Sequence, residues 1–318
     1  MQNQNCQRVI VVALAAILAV SFTSAAQALS LAGATRPATV PPDYVITPFG
    51  YFDPSCVTHL AKGDVVRKDK HAIEHANGTY DNMHVCAFAH YKADGEEVTG
   101  DEQAVGTQPT VNGWVEDAAV TTTSSYSALF AYWNVPPAPK TNHGQTVFLF
   151  NGMEDYNDEV TIIQPVLGWN SDYPSAWGIA SWNCCVTGTV FEAPASPVNS
   201  GDLIEGFMID TCAVGTKSCA TWDIATVDDT SGAQSDLLNT SSFGQTFNWA
   251  FGGVLEVYGI VECSDYPSVG INFYDESLYT YKGGLIAKPK WSIANLSSGF
   301  SPQCGYGGSL TQAILFSY

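Results

Sequence analysis

From Gly144 to Tyr318 the chain has no histidine, and from Thr141 to Tyr281 it has one base, Lys217, against 18 acidic residues. The missing histidine excludes a Ser-His-Asp or Cys-His nucleophile built within that stretch, and a histidine-bearing zinc site with it. His143 alone stands at its edge. Bases are scarce throughout, 12 Lys+Arg against 31 Asp+Glu, for a formal charge of -19. Phosphate contacts need clustered cations, so nucleic acid and anionic membrane surfaces are excluded as partners. There is no CxxC pair. Beyond the N-terminus, no apolar run approaches the roughly 20 residues needed to cross a bilayer. An acidic surface repels itself near neutral pH and relaxes as carboxylates protonate, which points to an acidic working environment.

What is present begins with an export signal. Arg8 precedes an apolar run over residues 9–22, and Ala26-Gln27-Ala28 is a small-x-small cleavage pattern. Residues 1–28 are therefore expected to be removed, and the protein is expected outside the cell, or in the periplasm of a Gram-negative host. Eight cysteines remain after the signal: Cys56, Cys86, Cys184, Cys185, Cys212, Cys219, Cys263 and Cys304. An even set in an exported chain predicts disulfides. Cys212 with Cys219 and Cys56 with Cys86 are the expected pairs, while adjacent Cys184 and Cys185 are expected to diverge to partners on opposite strand faces. Asn77, Asn239 and Asn295 lie in glycosylation sequons.

Residues 29–113 form an N-terminal region that holds five of the six histidines, with a polar, Gly-rich linker over 94–113. From Trp114 to the C-terminus the texture changes to short runs of Val, Ile, Phe, Tyr, Trp and Thr between Gly, Pro, Asn and Asp. Period-two alternation predicts strands over 127–135, 146–150, 160–167, 177–182, 203–209, 221–227, 246–260 and 270–274. Many short strands with evenly spaced turns predict an all-β domain over 114–318, an antiparallel β-sandwich of jelly-roll type. His71-Ala72-Ile73-Glu74-His75 matches an inverted zinc-peptidase pattern, but it lies just before Asn77-Gly78, a turn signal, rather than on a long helix. No metal or cofactor is implied.

The remaining chemistry is carried by carboxylates and amides. Glu262 closes the apolar run Tyr258-Gly259-Ile260-Val261, and Gln164 is a lone amide within Ile162-Ile163-Gln164-Pro165-Val166. Together with Ala131-Tyr132-Trp133-Asn134-Val135-Pro136, Phe148-Leu149-Phe150-Asn151-Gly152, Ala176-Trp177 and Gly201-Asp202-Leu203-Ile204, these segments resemble, in order, the glutamic peptidases of the eqolisin family. The resemblance implies a secreted, monomeric acid endopeptidase acting on polypeptide. Gln164 and Glu262 would be the catalytic pair, with Trp177 and Asn151 lining the cleft and the N-terminal region a propeptide. Two departures fall near that cleft. Asn151 replaces an Asp, and Gly178-Ile179-Ala180 stands where the family has a Glu. The competing reading is a non-catalytic carbohydrate-binding sandwich using Trp169, Tyr173, Trp182, Trp222 and Trp249. In that case Gln164 and Glu262 would lie apart, beside a flat row of aromatics.

Overall fold

The computed structural model describes residues 36–67, 71–98, 113–157, 161–185, 188–311 and 313–318. The expected signal segment and most of the expected linker lie outside these residues. The chain is almost wholly β, and all-β architecture is what the alternation predicts. The strands used below are β1 Val57–His59, β2 Trp114–Thr121, β3 Tyr126–Asn134, β4 Thr146–Glu154, β5 Ile162–Trp169, β6 Trp177–Cys184 and β7 Val190–Glu192. They continue with β8 Leu203–Asp210, β9 Thr221–Asp228, β10 Gln234–Ser241, β11 Trp249–Tyr258, β12 Ile271–Thr280, β13 Ser292–Asn295, β14 Gly307–Ser309 and β15 Ile314–Ser317.

Two large sheets face each other. One has nine strands in the order β13-β2-β11-β4-β5-β6-β7-β1, with Ser196–Val198 added beside β6. The other has eight, in the order β10-β9-β8-β3-β12-β15-β14, with Leu285–Ile286 beside β12. Every large-sheet pairing is antiparallel except β7 with β1. Between the sheets lie Trp133, Ala131 and Ile204 from one side and Val147, Leu149, Leu167, Ile179 and Leu255 from the other.

The two sheets carry different sequence textures, for a physical reason. In β8 burial alternates residue by residue, so one face meets the core and the other meets water. In β4, β5, β6 and β11 every residue is buried. These strands read as near-continuous apolar runs because both of their faces are covered. The second cover is the N-terminal region. Val40, Tyr44, Tyr51, Phe52 and Cys56 pack on Phe148, Phe150, Val166, Trp182 and Val254. Tyr51 meets Tyr258 edge-on at 5.4 Å. Hydrogen bonds to backbone carbonyls fasten the cover at its edge. The Leu60 amide donates to the Glu192 carbonyl at 2.8 Å, and Thr189 Oγ1 donates to the His84 carbonyl at 2.8 Å.

The described cysteines form four disulfides, and two of them, Cys56–Cys86 and Cys212–Cys219, are the expected pairs. Cys263 joins Cys304. Cys184 and Cys185 do not diverge as strand alternation predicted; they are bonded to each other. Strand β6 ends at Cys184, so the alternation that would separate the two ends with it. The His71–His75 motif is no helix. Ala72–Glu74 is a strand, and His75 bonds Asp64 and Asp81 through its two ring nitrogens, each at 3.1 Å. Both nitrogens are spent on carboxylates, which raises the ring's pKa and removes it from metal binding.

Within the cover, His90 stacks on Phe52 with centroids 4.7 Å apart, and burial lowers its pKa to about 4. A ring held neutral in the fold and titrating near 6.5 when unfolded supports the fold fully above pH 6.5. That support fades as pH falls from 6.5 towards 4. Melting curves from pH 7 to 4 should show His90→Gln losing about 1–3 kcal/mol less than wild type across this window.

Candidate active site

Gln164 sits near one end of β5, on the face turned away from the other sheet. Its register partner on β6 is Trp182, whose own partner on β7 is Glu192, and the next on β1 is His59. Strand alternation places these four side chains in one row on the covered face. Gln164 is fully buried, and neither its amide nitrogen nor its amide oxygen has a hydrogen-bond partner. Gly152 lies beside it on β4; a Cβ there would make an ordinary contact with Gln164 Cγ at 3.6 Å.

Glu192 is 2% exposed. Its Oε2 lies 2.7 Å from His59 Nδ1, and its Oε1 has no partner. A second carboxyl reaches it from the turn between β5 and β6. Gly168 and Gly178, on the covered face of those strands, leave room for this turn to fold back over the sheet. A Cβ on Gly168 would lie 2.8 Å from Ser171 Cβ, and one on Gly178 would lie 2.6 Å from Tyr173 Cδ2. Tyr173 Oη anchors the turn by donating to the Ala195 carbonyl at 3.0 Å. Asp172, carried in this turn, hydrogen-bonds Glu192. Burial raises both carboxyls, Glu192 to about 7 and Asp172 well above its ordinary range, where the neighbouring Glu192 charge adds to the effect.

The other expected site residues lie elsewhere. Across β4, Ile163 faces Met153 and Trp169 faces Val147, while β11 runs from Trp249 opposite Glu154 to Tyr258 opposite Thr146. Gln164 therefore lies near the Trp249 end, and the chain leaves for Glu262 at the Tyr258 end. Five strand residues alone separate them by about 17 Å. The structure does not bring this pair together. Glu262 is exposed and opens the 3-10 turn Cys263–Asp265. There Asp265 accepts from Thr141, at 2.7 Å, and from the amides of Val261 and Glu262, and bonds His143 at 2.7 Å. Burial would raise Asp265, but these bonds outweigh it and hold the carboxyl below its usual range, and Asp265 in turn raises His143. His143, Glu262 and Asp265 place one ligand-type atom each within 4.8 Å of one another. The acceptors of Asp265 are already spent on the turn itself.

Asn151 and Trp177 belong to the sandwich interior rather than a cleft. Period two turns residues 147, 149 and 151 towards the second sheet, so Asn151 Nδ2 donates to the Gly206 carbonyl at 3.1 Å. Trp177 is 2% exposed in the same core, edge-on to Trp169 at 5.5 Å. Trp169, Trp182, Trp222 and Trp249 are also buried and form no exposed row. Among the described residues, no helix is long and apolar enough to cross a membrane.

No family model matches the chain, and no curated protein matches it. Among solved structures it is similar to scytalido-glutamic peptidase bound to a peptide-based transition state analog. That likeness has 16% identity and a TM-score of 0.48, over 64% of this chain and 98% of that one. It is also similar to SCP-B, a member of the eqolisin family in complex with the tripeptide Ala-Ile-His. There the identity is 16% and the TM-score 0.47, over 64% and 98% of the two chains. At this identity and score the likeness assigns no role to any residue.

Proposed function

We propose that the chain is a secreted acid endopeptidase in a latent form, in which Gln164 works with the Asp172–Glu192 carboxyl pair. In this reading the N-terminal region 29–113 is the covering segment and 114–318 the hydrolase. The observation that carries it is the fully buried Gln164 amide, unpartnered at both atoms, in one row with Glu192, whose carboxyl Asp172 meets from the β5–β6 turn. Leaving such a group unpaired costs about 1–3 kcal/mol, a cost that a substrate carbonyl or a bound water would offset.

The residue types define the steps. One carboxylate takes a proton from the water that attacks the scissile carbonyl. The Gln164 N–H donates to the oxyanion as it forms, and the neutral carboxyl gives its proton to the leaving amine. In the covered state Glu192 stays protonated below about pH 7, and burial and the Glu192 charge raise Asp172 well above its ordinary range, so both carboxyls favour the neutral form at acid pH. Uncovering removes the desolvation, lowers both values and opens the row to substrate. The cover thus blocks the site in space and in protonation.

The test compares intact chain with chain cut between residues 98 and 113, on an unfolded protein substrate from pH 2 to 7. Intact protein should be inactive throughout. The cut and separated 114–318 segment should be active at acid pH, and Glu192→Gln should abolish that activity. A folded, cut chain that cleaves nothing at any pH overturns the reading.

A further inference from the structure

The eight-stranded sheet leaves its outer face to solvent, and that face is aromatic. Leu129, Ala131, Trp133, Met208, Phe273 and Leu278 point inward, so Phe130, Tyr132, Phe207, Tyr274 and Tyr279 stand on the outside, each half-buried. The register sets them side by side. Phe130 faces Phe207, Tyr132 faces Tyr274, and Tyr279 pairs beside them at Ala128. Phe130 and Phe207 stack at 5.6 Å, Tyr132 and Tyr274 stack at 6.5 Å, and Tyr279 meets Phe130 edge-on at 6.2 Å. Two hydroxyl bonds hold the tyrosines in place, Tyr132 Oη to Glu205 and Tyr274 Oη to Asn134 Oδ1, the second at 3.0 Å.

The row does not end in open surface. Tyr274 and Asn134 are also walls of a cleft of about 570 Å³ that continues past the sheet, lined further by Pro136, Asn272, Thr311 and Leu315. From Phe130 to Asn134 the strand advances about 13 Å, so row and cleft together form one continuous track.

We infer that this track binds a neutral oligosaccharide. Its chemistry has three parts, and each matches one property of a sugar chain. Aromatic rings accept the apolar C–H faces of pyranose rings. The amides of Asn134 and Asn272 and the hydroxyl of Thr311 both donate to and accept from sugar hydroxyls. The nearby charges are acidic, with Glu205, Asp229 and Asp275 around Tyr132. That field repels a phosphate, a uronate or an acidic peptide and leaves a neutral ligand unaffected. The track lies on the sheet opposite to Gln164 and Glu192, so the intact chain can bind sugar while its covered face is closed.

The experiment is titration calorimetry of the full chain with cellohexaose, maltohexaose and chitohexaose, and with a galacturonate hexamer as the charged comparator. At least one neutral hexaose should bind, with little dependence on salt, and the uronate should not. Tyr274→Ala should weaken binding about tenfold or more, and Asn272→Ala, at an exposed position, several-fold with an unchanged melting temperature. Gln164→Ala should bind as wild type, which separates sugar binding from hydrolysis. The inference is overturned if no neutral hexaose binds at millimolar concentration, if the uronate binds equally well, or if both track variants bind as wild type.

Discussion

Gln164→Ala in the uncovered enzyme is expected to lower kcat by about 10²–10³, the usual cost of removing one oxyanion donor, with KM little changed. In the intact chain, where the amide is buried, the same substitution carries a second readout. A buried amide placed for stability would be hydrogen-bonded, and its loss would lower the melting temperature. Gln164 has no partner at either amide atom. Truncation therefore removes a desolvation cost along with some packing, and stability should hold or rise. A fall in kcat with a maintained melting temperature marks a catalytic residue. A fall in both marks a structural one, and an unchanged kcat removes Gln164 from the mechanism.

The second large effect is structural. Trp133→Ala should cost about 3–5 kcal/mol, the range for deleting a large buried aromatic. Trp133 is fully buried between the sheets, tilted against Phe273 at 5.3 Å. Its ring lies over Gly206, where a Cβ would come within 2.4 Å of Trp133 Cη2. The sheets are joined at this point by a fit of large against small, so the cavity cannot collapse easily. Guanidinium unfolding of the disulfide-intact chain should show a lower midpoint with an unchanged slope.

The strands were legible wherever alternation or a continuous apolar run survives, as in Leu203–Asp210 and Thr146–Glu154. Gln234–Ser241, with the sequence QSDLLNTS, was not, because it has no β-branched apolar residue and its buried positions are mostly polar, held by bonds to Ser181 and Asn183. The short strands β13 to β15 were missed because three or four residues are too few to show a period; β13 is fixed by β2, and β15 by β12 and β14.

The candidate site was legible only in part. Gln164 stood out as one amide in an apolar run, and it lies where such a residue is costly. Glu262 stood out on the same logic, but the strand ends at Tyr258, four residues earlier, and the chain has left the sheet. Glu192, in Val190-Phe191-Glu192, gives the same signal in a shorter run. Nothing local announces Asp172. It arrives by a turn that only the paired glycines Gly168 and Gly178 make possible.

The placement of the disulfides has a consequence for how long the cover lasts. Cys56–Cys86 closes within the cover and the other three bonds close within the sandwich, so no covalent bridge crosses from one to the other. In the unbroken chain the cover is held at the effective concentration of a tethered ligand. One backbone cut between residues 98 and 113 would leave it held by non-covalent contacts alone, so that its occupancy obeys mass action. A concentrated solution would then stay closed and a dilute one would open, with no further chemistry required.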